Sequence, residues 1–236
     1  MELQLAYILL GLLMCIVIIR IGRHAVLKAN NENPKKANSA TIKIIIGLLL
    51  WHLYIFFLDQ IGILRSYTLP PRFPLLTVAP LFIFTGIFIY KQRNKMWIKV
   101  IPAHWLIFYQ SFRIVIESLF VFSVAAGVLH KNVTIEGYNY DMLFGCSAIP
   151  IAWLIMKNEQ KYRKLAMIWN YFGLVVIAFI IFLFITSIFF PSMYGTDINK
   201  FPIEFTHYPY ILVAAFLMPS AVFMHILSIV NLNQNK

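Results

Sequence analysis

The chain has 236 residues, 61% of them hydrophobic and 12% charged, with a mean hydropathy of +0.77. A soluble domain carries about 25% charged residues, so water cannot be the solvent for most of this length. Twenty Lys plus Arg against nine Asp plus Glu give a net charge of +11. The basic residues cluster in short loops between apolar runs, as topology signals do, so no nucleic-acid partner is expected.

A helix needs about 20 mainly apolar residues to cross ~30 Å of hydrocarbon. Seven runs approach this, and they predict a single polytopic domain, an all-α bundle of seven transmembrane helices. The first covers residues 3–21; with no basic n-region before it and no small-residue cleavage site after it, it reads as a retained helix. A basic loop from Arg23 to Lys36 follows, turning at Asn30–Pro34. The second run, residues 42–64, is interrupted by His52 and Asp59. Pro70, Pro71 and Pro74 break the chain before the third, residues 75–90, which holds Pro80 near its middle.

The fourth run, residues 97–129, has Pro102 in its first turns and carries Gln110, Arg113 and Glu117. On a helix these three fall within roughly a 60° stripe. The polar connection from His130 to Asp141 alternates around Gly137 and suits a short extended turn or hairpin. Asn132-Val133-Thr134 within it matches a glycosylation acceptor. The fifth run, residues 142–156, is short and contains Pro150. The sixth, residues 165–190, is the longest uncharged stretch, and its core from Leu174 to Phe189 suits a lipid-facing helix. A loop with Asp197, Lys200, Glu204 and His207 leads to the seventh run, residues 210–232, with Pro219 and His225. Cys15 and Cys146 lie inside apolar runs and predict no disulfide framework.

The loops after the first, third and fifth runs, with their flanks and the C-terminal tail, hold fifteen of the twenty basic residues. The other side and the interior hold only Arg65, Arg72, Arg113, Lys131 and Lys200. The positive-inside rule then puts the N-terminus outside and the C-terminus in the cytoplasm of a plasma or inner membrane.

A charge at mid-membrane costs on the order of 3 kcal/mol even on the lenient insertion scale, so Arg113 and Glu117 require partners. Depth counted from the basic ends puts Asp59 and Arg113 at similar heights in the outer half, with Glu117 a turn further out. Glu136, Asn139 and Asp141 occupy the outer loop. Two readings follow. Arg113 is a buried pin, neutralised by Glu117 or Asp59; or an outward-facing polar pocket of Arg113, Glu117, Asp59, Gln110, Glu136, Asn139 and Asp141 binds or moves a small polar or anionic solute. No catalytic residue is identified, and no Walker, Gly-x-Gly-x-x-Gly, Gly-x-Ser-x-Gly or metalloprotease motif occurs.

His52, His104 and His225 share a depth in the inner half, so a haem b or other metal held by them is the alternative; otherwise no cofactor is expected. A non-catalytic subunit or assembly factor, with a membrane-protein partner or a second copy of the chain on an uncharged helix face, is a third reading. The helix count and orientation resemble SWEET-type sugar transporters and rhodopsins. The Pro-Gln dipeptide of the first and the retinal-binding lysine of the second are absent.

Overall fold

The computed structural model describes residues 2–67, 70–195 and 201–234; Asp197 and Lys200 lie outside them. With no water in hydrocarbon, each apolar run satisfies its backbone internally as helix, and no strand occurs among the described residues. In chain order the helices are α1 (Glu2–Ala29), α2 (Pro34–Gln60), α3 (Arg72–Thr77), α4 (Ala79–Gln92), α5 (Met96–Lys99), α6 (Ala103–Phe108), α7 (Phe112–Ala125), α8 (Asp141–Lys157), α9 (Glu159–Phe189) and α10 (Met218–Gln234). A 3-10 turn, Tyr109–Ser111, joins α6 to α7, and a π-helical turn, Val213–Leu217, leads into α10.

Six segments are long and apolar enough to cross a membrane: Glu2–Ala29, Pro34–Gln60, Arg72–Gln92, Ala103–Ala125, Glu159–Phe189 and Val213–Gln234. The protein is therefore an all-helical, membrane-embedded chain. The fifth apolar run forms α8, whose 17 residues span only about 26 Å at 1.5 Å per residue.

Several helix limits differ from the hydropathy limits. α1 and α2 run past their apolar stretches, leaving a turn of only Asn30–Asn33. Lys and Arg stems lie along a helix while their heads reach water, so basic residues end a span without ending a helix. The turn is made by Asn31 and Glu32 in left-handed backbone, φ 51° and 60°. Asn33 then caps α2, its side chain accepting from the N–H groups of Lys35 and Lys36, with Pro34 in the first turn.

The fourth run is not one helix, because Pro102 separates α5 from α6 and the 3-10 turn separates α6 from α7. The connection after α7 is not a hairpin either. It winds through a 3-10 turn at Lys131–Val133 and closes with Thr134 accepting from the N–H groups of Gly137 and Asn139. Asn132 and Thr134 are buried in it, so the glycosylation sequon is not presented. α9 is not simply lipid-facing: Ile177, Leu183, Thr186 and Ser187 are buried while Val175, Phe179 and Phe182 are exposed.

A proline inside a helix removes one N–H and strands the carbonyl four residues earlier. At two of the prolines here, Pro80 and Pro219, a side chain supplies the missing donor. Pro80 frees Leu76 O, which accepts the Tyr54 hydroxyl at 3.2 Å. Between α5 and α6, beside Pro102, Ile98 O accepts both the Ile101 N–H at 3.3 Å and Asn231 Nδ2 at 2.6 Å. Pro219 frees Ala215 O, which accepts Trp51 Nε1 at 2.8 Å. Trp51 and Tyr54 are neighbours on one stripe of α2, their rings 5.2 Å apart. Trp51→Phe should therefore cost about 1–2 kcal/mol, the range for leaving one buried acceptor unsatisfied, in reversible unfolding from mixed micelles. In a Pro219→Ala background, where residue 219 regains its N–H, that cost should shrink; an unchanged cost would show that Trp51 does not serve this carbonyl.

Candidate functional site

The break at Tyr109–Ser111 sets where the polar residues of the fourth run point. Tyr109 donates to Ser220 Oγ (2.7 Å) and Gln110 Nε2 to Ala221 O (3.0 Å), which pins the turn to the start of α10. α7 starts immediately beyond it and directs Arg113 and Glu117 inward, each only 1% exposed.

Arg113 does not pair with Glu117 or Asp59. Its Nη1 donates to Asp141 Oδ1 at 2.8 Å, with Asp141 in the first turn of α8. Its Nη2 lies 3.1 Å from His225 Nε2 on α10. A guanidinium only donates, so this Nε2 accepts and the imidazole is neutral with its proton on Nδ1. That proton goes to Asn170 Oδ1 on α9, 2.9 Å away, and Asn170 Nδ2 donates to Ser228 Oγ (3.0 Å) and Ala166 O (2.7 Å). One hydrogen-bonded chain thus crosses α8, α7, α10 and α9. The guanidinium also lies over the Phe144 ring, 4.9 Å from its centroid, and Phe144 stacks on Trp169 at 4.5 Å.

Two glycines make the space. A Cβ at Gly145 would lie 2.9 Å from Arg113 Cβ, and one at Gly173 would overlap the His225 ring and Phe144.

Glu117 is held separately. Asn139, buried in the connection before α8, donates from Nδ2 to Glu117 Oε1 (2.8 Å) and to Val133 O (3.0 Å), and its Oδ1 accepts the Asp141 N–H (3.0 Å). Glu117 Oε2 is buried with no hydrogen-bond partner. The same connection keeps His130 below its ordinary imidazole range, by burial and by the neighbouring Lys131 charge, so that Nδ1 accepts the Asn132 N–H at 3.3 Å. The cluster thus has one guanidinium, two carboxylates and a neutral imidazole. With both carboxylates ionised, it holds one more negative charge than its cation balances.

The remaining expected residues fall elsewhere. Asp59 forms a second group at the end of α2: Oδ2 accepts the Tyr208 N–H (3.1 Å), Oδ1 lies 3.6 Å from Arg65 Nη2, and His207 Nδ1 sits 3.1 Å from Oδ1 at ion-pair distance without hydrogen-bond alignment. Glu136 is exposed. Gln110 reaches α10, not Arg113. His52 is bonded to Leu48 O (2.8 Å) and lies 3.9 Å from Cys15 Sγ, and His104 packs against Trp105, while both His225 nitrogens are engaged. Among the described residues, no three His, Cys, Asp or Glu side chains gather as a metal site.

Arg113, Glu117 and Asp141 border a cavity of about 820 Å³, counting its open mouth. Its other walls are apolar and include Phe112, Ile116 and Phe120 of α7, Ile181 and Phe184 of α9, and Ala214 of the π-helical turn. The expected polar pocket is therefore an apolar cavity with one charged wall. Asn170, Phe144, Gly145 and Gly173 were not singled out from the sequence; the available signal was a lone Asn in an apolar run with Gly173 three residues on.

No protein-family model matches this chain, and comparison with curated proteins and with solved structures returns no match.

Asp141→Ala would leave the Arg113 charge buried without its counter-ion, a change that costs about 3–5 kcal/mol. The double variant Arg113→Met with Asp141→Leu should lose less than Asp141→Ala alone, because an apolar replacement of a buried pair strands no charge. Equilibrium unfolding of both variants in micelles checks the order.

Proposed function

We propose that this protein binds a small molecule inside the bilayer and moves it between the membrane and the outer side. The observation that carries the reading is the placement of the three buried charges on the wall of a cavity that is otherwise apolar. Ligand pockets have this composition, with apolar walls and a few convergent polar groups that orient the occupant. Ionisable residues inside a membrane span are costly, which is why they commonly mark ligand sites and pathways. The guanidinium carries five N–H donors, of which Asp141 and His225 take one each, so a solute anion on Arg113 would bind beside these partners or displace one of them.

In the topology that accompanies this reading, α8 is a seventh, short span. It packs between α6, α7 and α9, and Leu143, Trp153 and Met156 on its outer face are exposed as lipid-facing residues would be. Seven spans put the N-terminus outside and the C-terminus in the cytoplasm, with the basic loops inside. The Asn139 connection then lies over the outer end of the cluster. π-Helical turns recur at functional sites, and the one at Val213–Leu217 borders the cavity through Val213, Ala214 and Leu217.

A ligand that binds only the folded state raises the melting temperature by mass action, about 2.7 kcal/mol at a hundred times its dissociation constant. Screening metabolites and lipophilic solutes by thermal unfolding in detergent should find a stabiliser whose effect disappears when Ala214→Trp fills the cavity. Stabilisation that persists in Ala214→Trp would refute the site. For the orientation, in a background lacking Cys15 and Cys146, Glu136→Cys should react with an impermeant maleimide in intact cells and Asn31→Cys only after permeabilisation; the reverse pattern would invert the topology.

A further inference from the structure

Glu117 differs from every other charged group in the cluster. The Arg113 charge is matched by Asp141 at 2.8 Å, whereas Glu117 receives one hydrogen bond, from the neutral amide of Asn139. Among the described residues no cation lies within ion-pair distance of it, its Oε2 is buried without a partner, and Glu117 lines the cavity. A buried carboxylate oxygen left unmatched costs several kcal/mol, and a donor brought by a ligand would remove that cost.

We infer that the occupant is a lipophilic amine, whose ammonium group donates to Glu117 Oε2 while its apolar body fills the cavity. The walls suit such a molecule. Phe112, Phe120 and Phe184 line it, and an ammonium over an aromatic ring gains cation–π attraction as well as the carboxylate. An anion meets the opposite conditions. It would face an uncompensated Glu117, and on Arg113 it would compete with Asp141, which already balances that charge at 2.8 Å. A neutral alcohol supplies a donor without the charge that completes the balance.

This rests on the ligand-binding reading above, and the test separates the two. The full chain is reconstituted in nanodiscs of zwitterionic lipid, and saturable binding of phenethylamine, phenethyl alcohol and hydrocinnamate is measured against empty discs. The amine should bind at least about tenfold more tightly than either of the others, as expected for a buried charge given its counter-ion. Glu117→Gln keeps an acceptor for Asn139 and removes the charge. It should weaken the amine by about tenfold or more and move the alcohol by less than about twofold. Glu117→Asp, which retains the charge one methylene further back, should bind the amine with intermediate affinity. Ala214→Trp should abolish binding of amine and alcohol alike. Equal or tighter binding of the alcohol or hydrocinnamate overturns the amine assignment, as does amine binding unchanged by Glu117→Gln or the absence of saturable binding by any probe. If the amine binds Ala214→Trp as it binds the wild type, the cavity itself is not the site and the ligand-binding reading falls with it.

Discussion

No water stands by in hydrocarbon to complete a hydrogen bond, and this constraint shapes the protein more than any single contact. Helices meet it for ordinary residues, but prolines do not. At Pro80 and Pro219 the stranded carbonyl is met by Tyr54 and Trp51 from another helix, and beside Pro102 Asn231 donates to Ile98 O and Ile101 O. These bonds are both repairs and fasteners, since each ties a helix break to a neighbour. They explain how a chain so interrupted keeps one arrangement, and why Asn231, near the end of an apolar run, is fully buried.

The same constraint governs the charged cluster. Arg113 is usable at this depth because Asp141, His225 and the Phe144 ring surround it, and His225 in turn is oriented by Asn170 and Ser228. Gly145 and Gly173 let the helices approach closely enough for this, as small residues commonly do between membrane helices. Every residue from Asp141 through Arg113, His225 and Asn170 to Ser228 has a hydrogen-bond partner, whereas Glu117 Oε2 is buried with none. An arrangement that gives its imidazole two partners and its guanidinium a counter-ion, yet leaves a buried carboxylate oxygen of a cavity-lining residue without a partner, differs from an inert pin.

Charges inside apolar runs stand out against their surroundings, so Arg113, Glu117 and Asp59 were legible in the sequence, and the polar loop before α8 brought Asn139 and Asp141 with them. Their pairing was not legible. Counting residues along helices gives an expected depth but no azimuth, so Asp59, counted to the height of Arg113, nevertheless faces Arg65 and His207. The i,i+4 spacing of Arg113 and Glu117 suggests a pair, yet tertiary geometry gives Arg113 a carboxylate 28 residues away. The link from His225 to Asn170 spans 55 residues and depends on the space left at Gly173, which no local pattern encodes. Alternation around Gly137 suits a short extended turn or hairpin, yet Asn132, Thr134 and Asn139 are all buried in turn backbone there, and Asn139 reaches Glu117.

α2 is held in an unusual way. Most of its large side chains, including Ile42, Ile46, Leu50, Leu53 and Phe57, are exposed, and besides its packing against α1 it is tied to the bundle by the donors Trp51 and Tyr54. Greasy surfaces can slide past one another by fractions of a turn, but two donors matched to two fixed carbonyls cannot. They index the helix like teeth in a rack, setting its height and its rotation together. A bilayer that becomes thinner or thicker therefore cannot be accommodated by slippage of α2. The mismatch must be taken up by tilting the bundle as a unit or by deforming the lipid around it, so membrane thickness acts on the whole cavity at once.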